Sequence, residues 1–314
     1  MTNPYIERIL KARVYDVAVE TPLELAPRLS RRLGNQVLLK REDLQSVFSF
    51  KLRGAYNKVA HLSESAANRG VICASAGNHA QGVALAAQRR GVPAIIVMPH
   101  TTPQIKVQAV MDLGGEVVLH GDDYDSAFDR AQQLVRERNF VYVHAFDDPD
   151  VIAGQGTIGM EIMRQCGGDL DAVFVPVGGG GLIAGSATIA KELGVKRVVG
   201  VEPEAGDDWK QSFAAGEIIA IDVPRTIADG LQTHAPGELT WEVASRLVDE
   251  IVTVTDQQMV EAMRFAFERL KLVIEPSGAV GVAAVLNGLV SGDRIGVIVS
   301  GGNVGAARFA ELIA

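Results

Sequence analysis

Short, nearly unbroken apolar runs alternate along this chain with stretches of helical periodicity, and that alternation constrains the fold more than any other feature. The runs are 37–40, 71–74, 94–98, 116–120, 141–144, 172–177, 197–201 and 295–299. Strands with polar residues on neither face are buried on both. The expected architecture is therefore α/β, with mostly parallel sheets flanked by helices. In such sheets ligands gather beyond the carboxyl ends of the strands, where helix N-termini point inward. Three motifs fall at that position: Ser75-Ala76-Gly77-Asn78-His79 after the 71–74 run, Gly178-Gly179-Gly180-Gly181-Leu182 after 172–177, and Ser300-Gly301-Gly302-Asn303 after 295–299. Their shared location predicts one composite site.

No Pro/Gly/Ser-rich linker, repeat or low-complexity tract divides the 314 residues, so a second lobe is expected to be inserted rather than appended. The expectation is a smaller lobe over 51–144 and a larger one from 1–50 and 145–314, with a cleft beside Lys51. A hydrophobic content of 47% with 5% aromatic residues suits an aliphatic core, and a formal net charge of -8 disfavours nucleic acid or an anionic membrane as partner. Two widely separated cysteines, Cys73 and Cys166, offer neither a disulfide framework nor a thiolate zinc site, and no apolar run is long enough for a leader or a span. A cytoplasmic protein is expected.

Lys51 opens a helical stretch within Ser49-Phe50-Lys51-Leu52-Arg53-Gly54-Ala55, placed just beyond a strand. A lysine nucleophile needs burial or cationic neighbours to lower its pKa, and here Phe50 supplies apolar cover and Arg53 positive potential. The plain alternative is a solvated first-turn lysine; the companion motifs tell against it. Successive glycines let backbone N–H groups converge on a phosphate at a helix start near Leu182. No Lys-Ser or Lys-Thr follows them, so a triphosphate lacks its anchors, and no dinucleotide fingerprint is present. A single phosphate, as on pyridoxal phosphate, suits the loop, and with Lys51 the motifs read as a site for that cofactor. Ser75 through His79 offer a hydroxyl, amides and a side-chain amide to an α-carboxylate and a phenolic oxygen, the alternative being an ordinary helix cap. His79, inside the helix, reads as structural. The six histidines show no HExxH spacing and there is no GxSxG elbow, which argues against a zinc hydrolase and a serine hydrolase.

The strings SFKLRGA, SAGNHAQG, VIAGQGT (151–157), PVGGGGL, IEPSGA (274–279) and VSGGN, in this order and across essentially the whole chain, resemble the threonine dehydratase and serine racemase family. These are pyridoxal phosphate enzymes of the two-lobed tryptophan synthase β-like fold. The resemblance implies that Lys51 carries the cofactor covalently, with Phe50 against its ring and Asn78 at the ring hydroxyl. It places Gly178, Gly179, Gly180, Gly181 and Leu182 at the phosphate, Ser300 at the pyridine nitrogen, and Ser75, Ala76, Gly77, Asn78 and His79 around the substrate. A serine at the ring nitrogen donates or accepts a hydrogen bond without a negative charge, which tempers the electron sink and favours β-elimination over transamination. The implied reaction converts L-threonine to 2-oxobutanoate, or L-serine to pyruvate, with release of ammonia. Serine racemases place a second serine where this chain has Ala76, and a methyl group cannot reprotonate the opposite face, so weak or absent racemisation is expected.

Glu202-Pro203-Glu204-Ala205-Gly206-Asp207-Asp208 resembles a divalent-cation loop of the family. By that match Glu202 and Asp208 supply carboxylate oxygens and Gly206 a carbonyl to Mg²⁺ or Ca²⁺, the alternative being a solvated acidic turn that caps the next helix. The chain ends soon after the Ser300 motif, so a C-terminal regulatory domain is not expected, and a homodimer or homotetramer is. The competing readings are a serine racemase, a threo-3-hydroxyaspartate dehydratase, and a catalytically silent ligand-binding protein, against which an intact Lys51 argues.

Overall fold

The computed structural model describes residues 3–289 and 292–314. Among the described residues ten strands form two sheets. In chain order they are β1 (Leu23–Leu25), β2 (Gln36–Arg41), β3 (Val71–Ala74), β4 (Ala94–Met98), β5 (Glu116–Leu119), β6 (Val141–Tyr142), β7 (Ala172–Pro176), β8 (Arg197–Pro203), β9 (Glu250–Val254) and β10 (Arg294–Val299). A six-stranded sheet runs β1-β2-β10-β7-β8-β9 and a four-stranded sheet β5-β4-β3-β6. Every pairing of these strands is parallel except β1 with β2. The four-stranded sheet is drawn entirely from residues 71–142, whereas the larger one uses segments before and after that stretch.

The interior strands β3, β4 and β7 are buried at every position, which is why each reads as a continuous apolar run. All eight runs correspond to strands; 71–74 and 94–98 match at both ends, and the others differ by no more than two residues at an end. β1 and β9 have no counterpart among those runs. Both are sheet edges whose residues are partly exposed, so neither shows a clear apolar run. Lys51 does begin a helix, Lys51–Ala60. It does not follow directly on a strand, because a 3₁₀ turn, Glu42–Leu44, and a loop separate it from β2.

The Lys51–Ala60 helix lies between the Asn78–Arg90 and Pro149–Cys166 helices, and glycines set the spacing. A Cβ on Gly154 would come within 2.7 Å of the Arg53 carbonyl oxygen, and one on Gly82 within 3.1 Å of the Lys51 carbonyl carbon. Beneath this helix is a buried ionic cluster. The Arg53 guanidinium reaches Glu42 (2.8 Å) and Glu161 (2.6 Å), and Lys40 Nζ reaches Glu161 (2.6 Å), with all four side chains fully buried. Arg53 Nη1 also donates to Thr157 Oγ1, and Thr21 Oγ1 to Glu42. Burial alone would pull Arg53 down, but Glu42 and Glu161 hold it above its usual range. The cluster joins β2, the 3₁₀ turn, the Lys51 helix and the Pro149–Cys166 helix. It thereby fixes where Lys51 sits.

Candidate active site

The three motifs do follow β3, β7 and β10, and the chain before Lys51 is stitched to the last of them. Phe50 N donates to Ser300 O (3.1 Å) and Gly302 N to Phe48 O (2.9 Å), and Ser49 bridges Gly301. Lys51 Nζ donates to the Ala145 carbonyl at 2.9 Å, beyond the end of β6, and lies 5.2 Å from the Phe50 ring centroid. Burial lowers its pKa to about 8. Arg53 plays no part in that shift, contrary to the expectation from sequence, because its charge is taken up by Glu42 and Glu161. The lysine is nonetheless primed to lose its proton near neutral pH.

Gly180 is left-handed, φ 97°, and opens the Gly181–Glu192 helix. The carbonyls of the preceding glycines are held by buried side chains: Trp209 Nε1 donates to Gly178 O (2.6 Å) and Thr240 Oγ1 to Gly179 O (2.6 Å). The backbone N–H groups of Gly178 through Leu182 have no partner among the described residues; for Gly181 and Leu182 that is expected of a first helical turn. A Cβ on Gly179 would lie 2.3 Å from the Phe146 ring, and one on Gly180 would lie 2.2 Å from Trp209. The loop is thus a close-walled cradle of unpaired donors at a helix N-terminus, and a phosphate monoester fits it.

Capping does not account for Ser75-Ala76-Gly77-Asn78-His79. Gly77 is the cap of the Asn78–Arg90 helix, without a side-chain capping bond. Ser75 Oγ accepts from Gly77 N at 3.3 Å, and Ser75 through Asn78 are half-buried. Asn78 Nδ2 donates to Glu275 Oε1 (2.7 Å), and Asn78 Oδ1 accepts from Asn303 Nδ2 (2.7 Å). His79 is buried and donates from Nε2 to the Val143 carbonyl (2.8 Å). Burial and the nearby Lys51 push its pKa down to about 3, so it stays neutral, and its Nδ1 is buried without a hydrogen-bond partner. Ser300 Oγ is buried, its nearest acceptor being Ser277 O at 3.5 Å. That separation is long enough to leave the hydroxyl available to a ring nitrogen.

Glu275 and Asn303 carry no role in the sequence reading, although both lie in motif strings. Glu275 is 4% exposed, and burial, assisted by Asp229, raises its pKa to about 8. An acidic residue just before a helix-opening proline, Pro276, is the signal that could have found it.

The 202–208 loop differs from both readings in one respect. Glu202 accepts from Trp209 N and Lys210 N and so does cap the Asp208–Ala215 helix, but it is not solvated: Glu202 is 0% and Asp208 1% exposed. Burial, with Asp208 adding repulsion, raises Glu202 to about 9, and burial raises Asp208 to about 7. Asp208 Oδ2 has no hydrogen-bond partner. Among the described residues no group of three or more His, Cys, Asp or Glu side chains is arranged so that it could hold a metal ion by itself. What the loop offers is two buried carboxyls with one orphaned oxygen, a hard-oxygen donor set that suits Mg²⁺ or Ca²⁺ completed by carbonyl and water.

A family model for "pyridoxal-phosphate dependent enzyme" matches residues 14–301. The chain belongs to that family. Among its relatives, a biosynthetic chloroplastic threonine dehydratase of Arabidopsis thaliana is 49% identical over 280 residues, covering 89% of this chain and 47% of that protein. The structure of the processed form of threonine deaminase isoform 2 from Solanum lycopersicum superposes with a TM-score of 0.94 at 46% identity, covering 98% of this chain and 91% of that one. Maize serine racemase superposes at 0.93 with 37% identity, covering 98% and 95%. The chain spans about half the length of several curated relatives it matches. No helix among the described residues is long and apolar enough to cross a membrane.

Proposed function

We propose that this protein is a hydroxy-amino-acid dehydratase that converts L-threonine, and L-serine, to the 2-oxo acid and ammonia. The observation that carries the reading is a lysine amine of lowered pKa bonded to the Ala145 carbonyl, next in sequence to Phe146, whose ring walls a glycine loop of unpaired amides. The threonine dehydratase and threonine deaminase relatives support the substrate class. Pyridoxal phosphate supplies an electron sink for the electrons released when the α-proton leaves.

The chain's own groups hold the cofactor and substrate and take the α-proton; the β-hydroxyl leaves with a proton as water, and hydrolysis of the released enamine gives the 2-oxo acid and ammonia. The backbone amides of Gly178 to Leu182 bind the phosphate, and the Ser300 hydroxyl meets the ring nitrogen without imposing a charge. Phe50 packs beside the ring, and the free N–H of Asn78 meets the ring hydroxyl. Ser75, Ala76 and Gly77, at the start of the Asn78–Arg90 helix, receive the substrate carboxylate. Lys51 holds the cofactor and, once released, its neutral amine takes the α-proton.

In this reading residues 51–144 form an inserted small lobe against a large lobe of 1–50 and 145–314, with the site between them, supported by the confinement of one sheet to 71–142. Glu202, Asp208 and the Gly206 carbonyl hold Mg²⁺ or Ca²⁺ beside the cradle, since Trp209, which follows Asp208, bonds Gly178. A homo-oligomer and a reducing, cytoplasmic setting complete the proposal; both cysteines are free and buried.

The test is 2-oxo acid formation from L-threonine, L-serine, their D-forms and threo-3-hydroxyaspartate, with racemisation followed in parallel. The expected order places L-threonine first, with racemisation slow because Ala76 has no proton to give. Racemisation as fast as elimination would favour the serine racemase reading. A preference for threo-3-hydroxyaspartate would favour that dehydratase.

A further inference from the structure

The orientation of the Asn78 amide can be deduced from one unambiguous atom. Val47 O is a backbone carbonyl and only accepts, so the Asn303 atom at 2.8 Å must be Nδ2. The second hydrogen of that nitrogen points to Asn78 at 2.7 Å, so the Asn78 atom there must be Oδ1. Asn78 Nδ2 is then the atom facing Glu275 Oε1 at 2.7 Å, and it retains one further N–H. An amide left to itself can turn over and offer either edge. Here Val47 and Asn303 dictate which.

We infer that Asn303 is a positioning residue: it locks the Asn78 amide so that the site is offered an N–H donor, never a carbonyl, and so selects an oxygen acceptor such as a phenolate at that point. This deepens the dehydratase reading and rests on it. The lock also crosses the fold, joining the loop before Lys51, the segment after β10 and the helix that follows β3. In the Asn303→Asp variant the introduced carboxylate would accept from Asn78 rather than donate, turning the amide over. Glu275 would then face Asn78 Oδ1, and the ligand would lose its donor.

The test is a double-mutant cycle on cofactor affinity, measured by titrating apoprotein with pyridoxal phosphate, using Asn303→Asp, Asn78→Ala and the double variant, with circular dichroism and melting temperature as controls for folding. Asn303→Asp is expected to weaken binding about tenfold in the native background, the size of one hydrogen bond to a charged acceptor, and by less than about twofold when Asn78 is already alanine. An equal loss in both backgrounds overturns the lock, because a new charge or a loosened fold acts without Asn78. Should Asn303→Asp not fold, Asn303→Ala goes through the same cycle: a loss of about threefold that vanishes in the Asn78→Ala background supports the lock, and a loss that persists overturns it. Failure of the native apoprotein to bind pyridoxal phosphate at all would instead sink the dehydratase reading, and the lock with it.

Discussion

Lys51 Nζ and the Ala145 carbonyl oxygen are 2.9 Å apart, across 94 residues of sequence. The bond ties the first turn of the Lys51–Ala60 helix to the chain leaving β6, so the amine is held by the two segments that flank the four-stranded sheet. Burial without a compensating carboxylate brings its pKa to about 8. The same packing thus places the lysine and makes its neutral, nucleophilic form accessible near neutral pH.

The glycine cradle depends on space as well as on backbone freedom. Gly180→Ala puts a Cβ 2.2 Å from Trp209 and 2.8 Å from Thr240 Oγ1 at a φ of 97°. We expect about 2 kcal/mol of destabilisation by urea unfolding, with cofactor affinity lowered about tenfold or more in a direct titration. Native-like values for both would mean that the loop is not a cradle.

Arg53→Met leaves Glu42 and Glu161 buried with only Lys40 to balance them. A loss of about 3–5 kcal/mol is expected from denaturant titration, the usual result of breaking a buried pair from one side. A loss below about 1 kcal/mol would show that the cluster does not hold the Lys51 helix.

How much of this could be read from residues alone follows from the range of the interactions. Strands buried on both faces, such as Ala94–Met98, advertise themselves locally, whereas Glu250–Val254 lies at a sheet edge and gives no such run. Lys51 and the four glycines are likewise legible because a lysine at a helix start and a Gly-rich strand–helix turn are local patterns. The lock on Asn78 is not, since its partners lie 197 and 225 residues away. The role of Arg53 is hidden for the same reason: Glu161 lies 108 residues on and takes its charge.

Glu275 has a sign that can be measured. Its pKa rises from an ordinary 4.5 to about 8 in the fold, so the folded protein keeps a proton that the unfolded chain releases. Its contribution to stability is complete below about 4.5 and is lost as pH rises to about 8. Glu275→Gln still offers Asn78 an acceptor but cannot titrate. The apoprotein's stability, measured by urea unfolding across this window, should therefore fall less steeply with pH in the variant than in the native protein. Parallel profiles would show that Glu275 is ionised in the fold.

Removing a divalent cation should expose Glu202 and Asp208 to each other. Chelation is expected to lower the melting temperature by roughly 3 °C or more, restored by Mg²⁺ or Ca²⁺ and absent in Asp208→Asn. An unchanged melting temperature and full activity after chelation would remove the ion from the site.

The central claim is that the Lys51 amine holds pyridoxal phosphate while the amides of Gly178 to Leu182 grip its phosphate. Borohydride reduction of the holoprotein, followed by peptide mapping, tests it most directly. The expected result is a single pyridoxyl label on Lys51, absent in Lys51→Ala; a label on another lysine, or none after loading with the cofactor, would contradict the account.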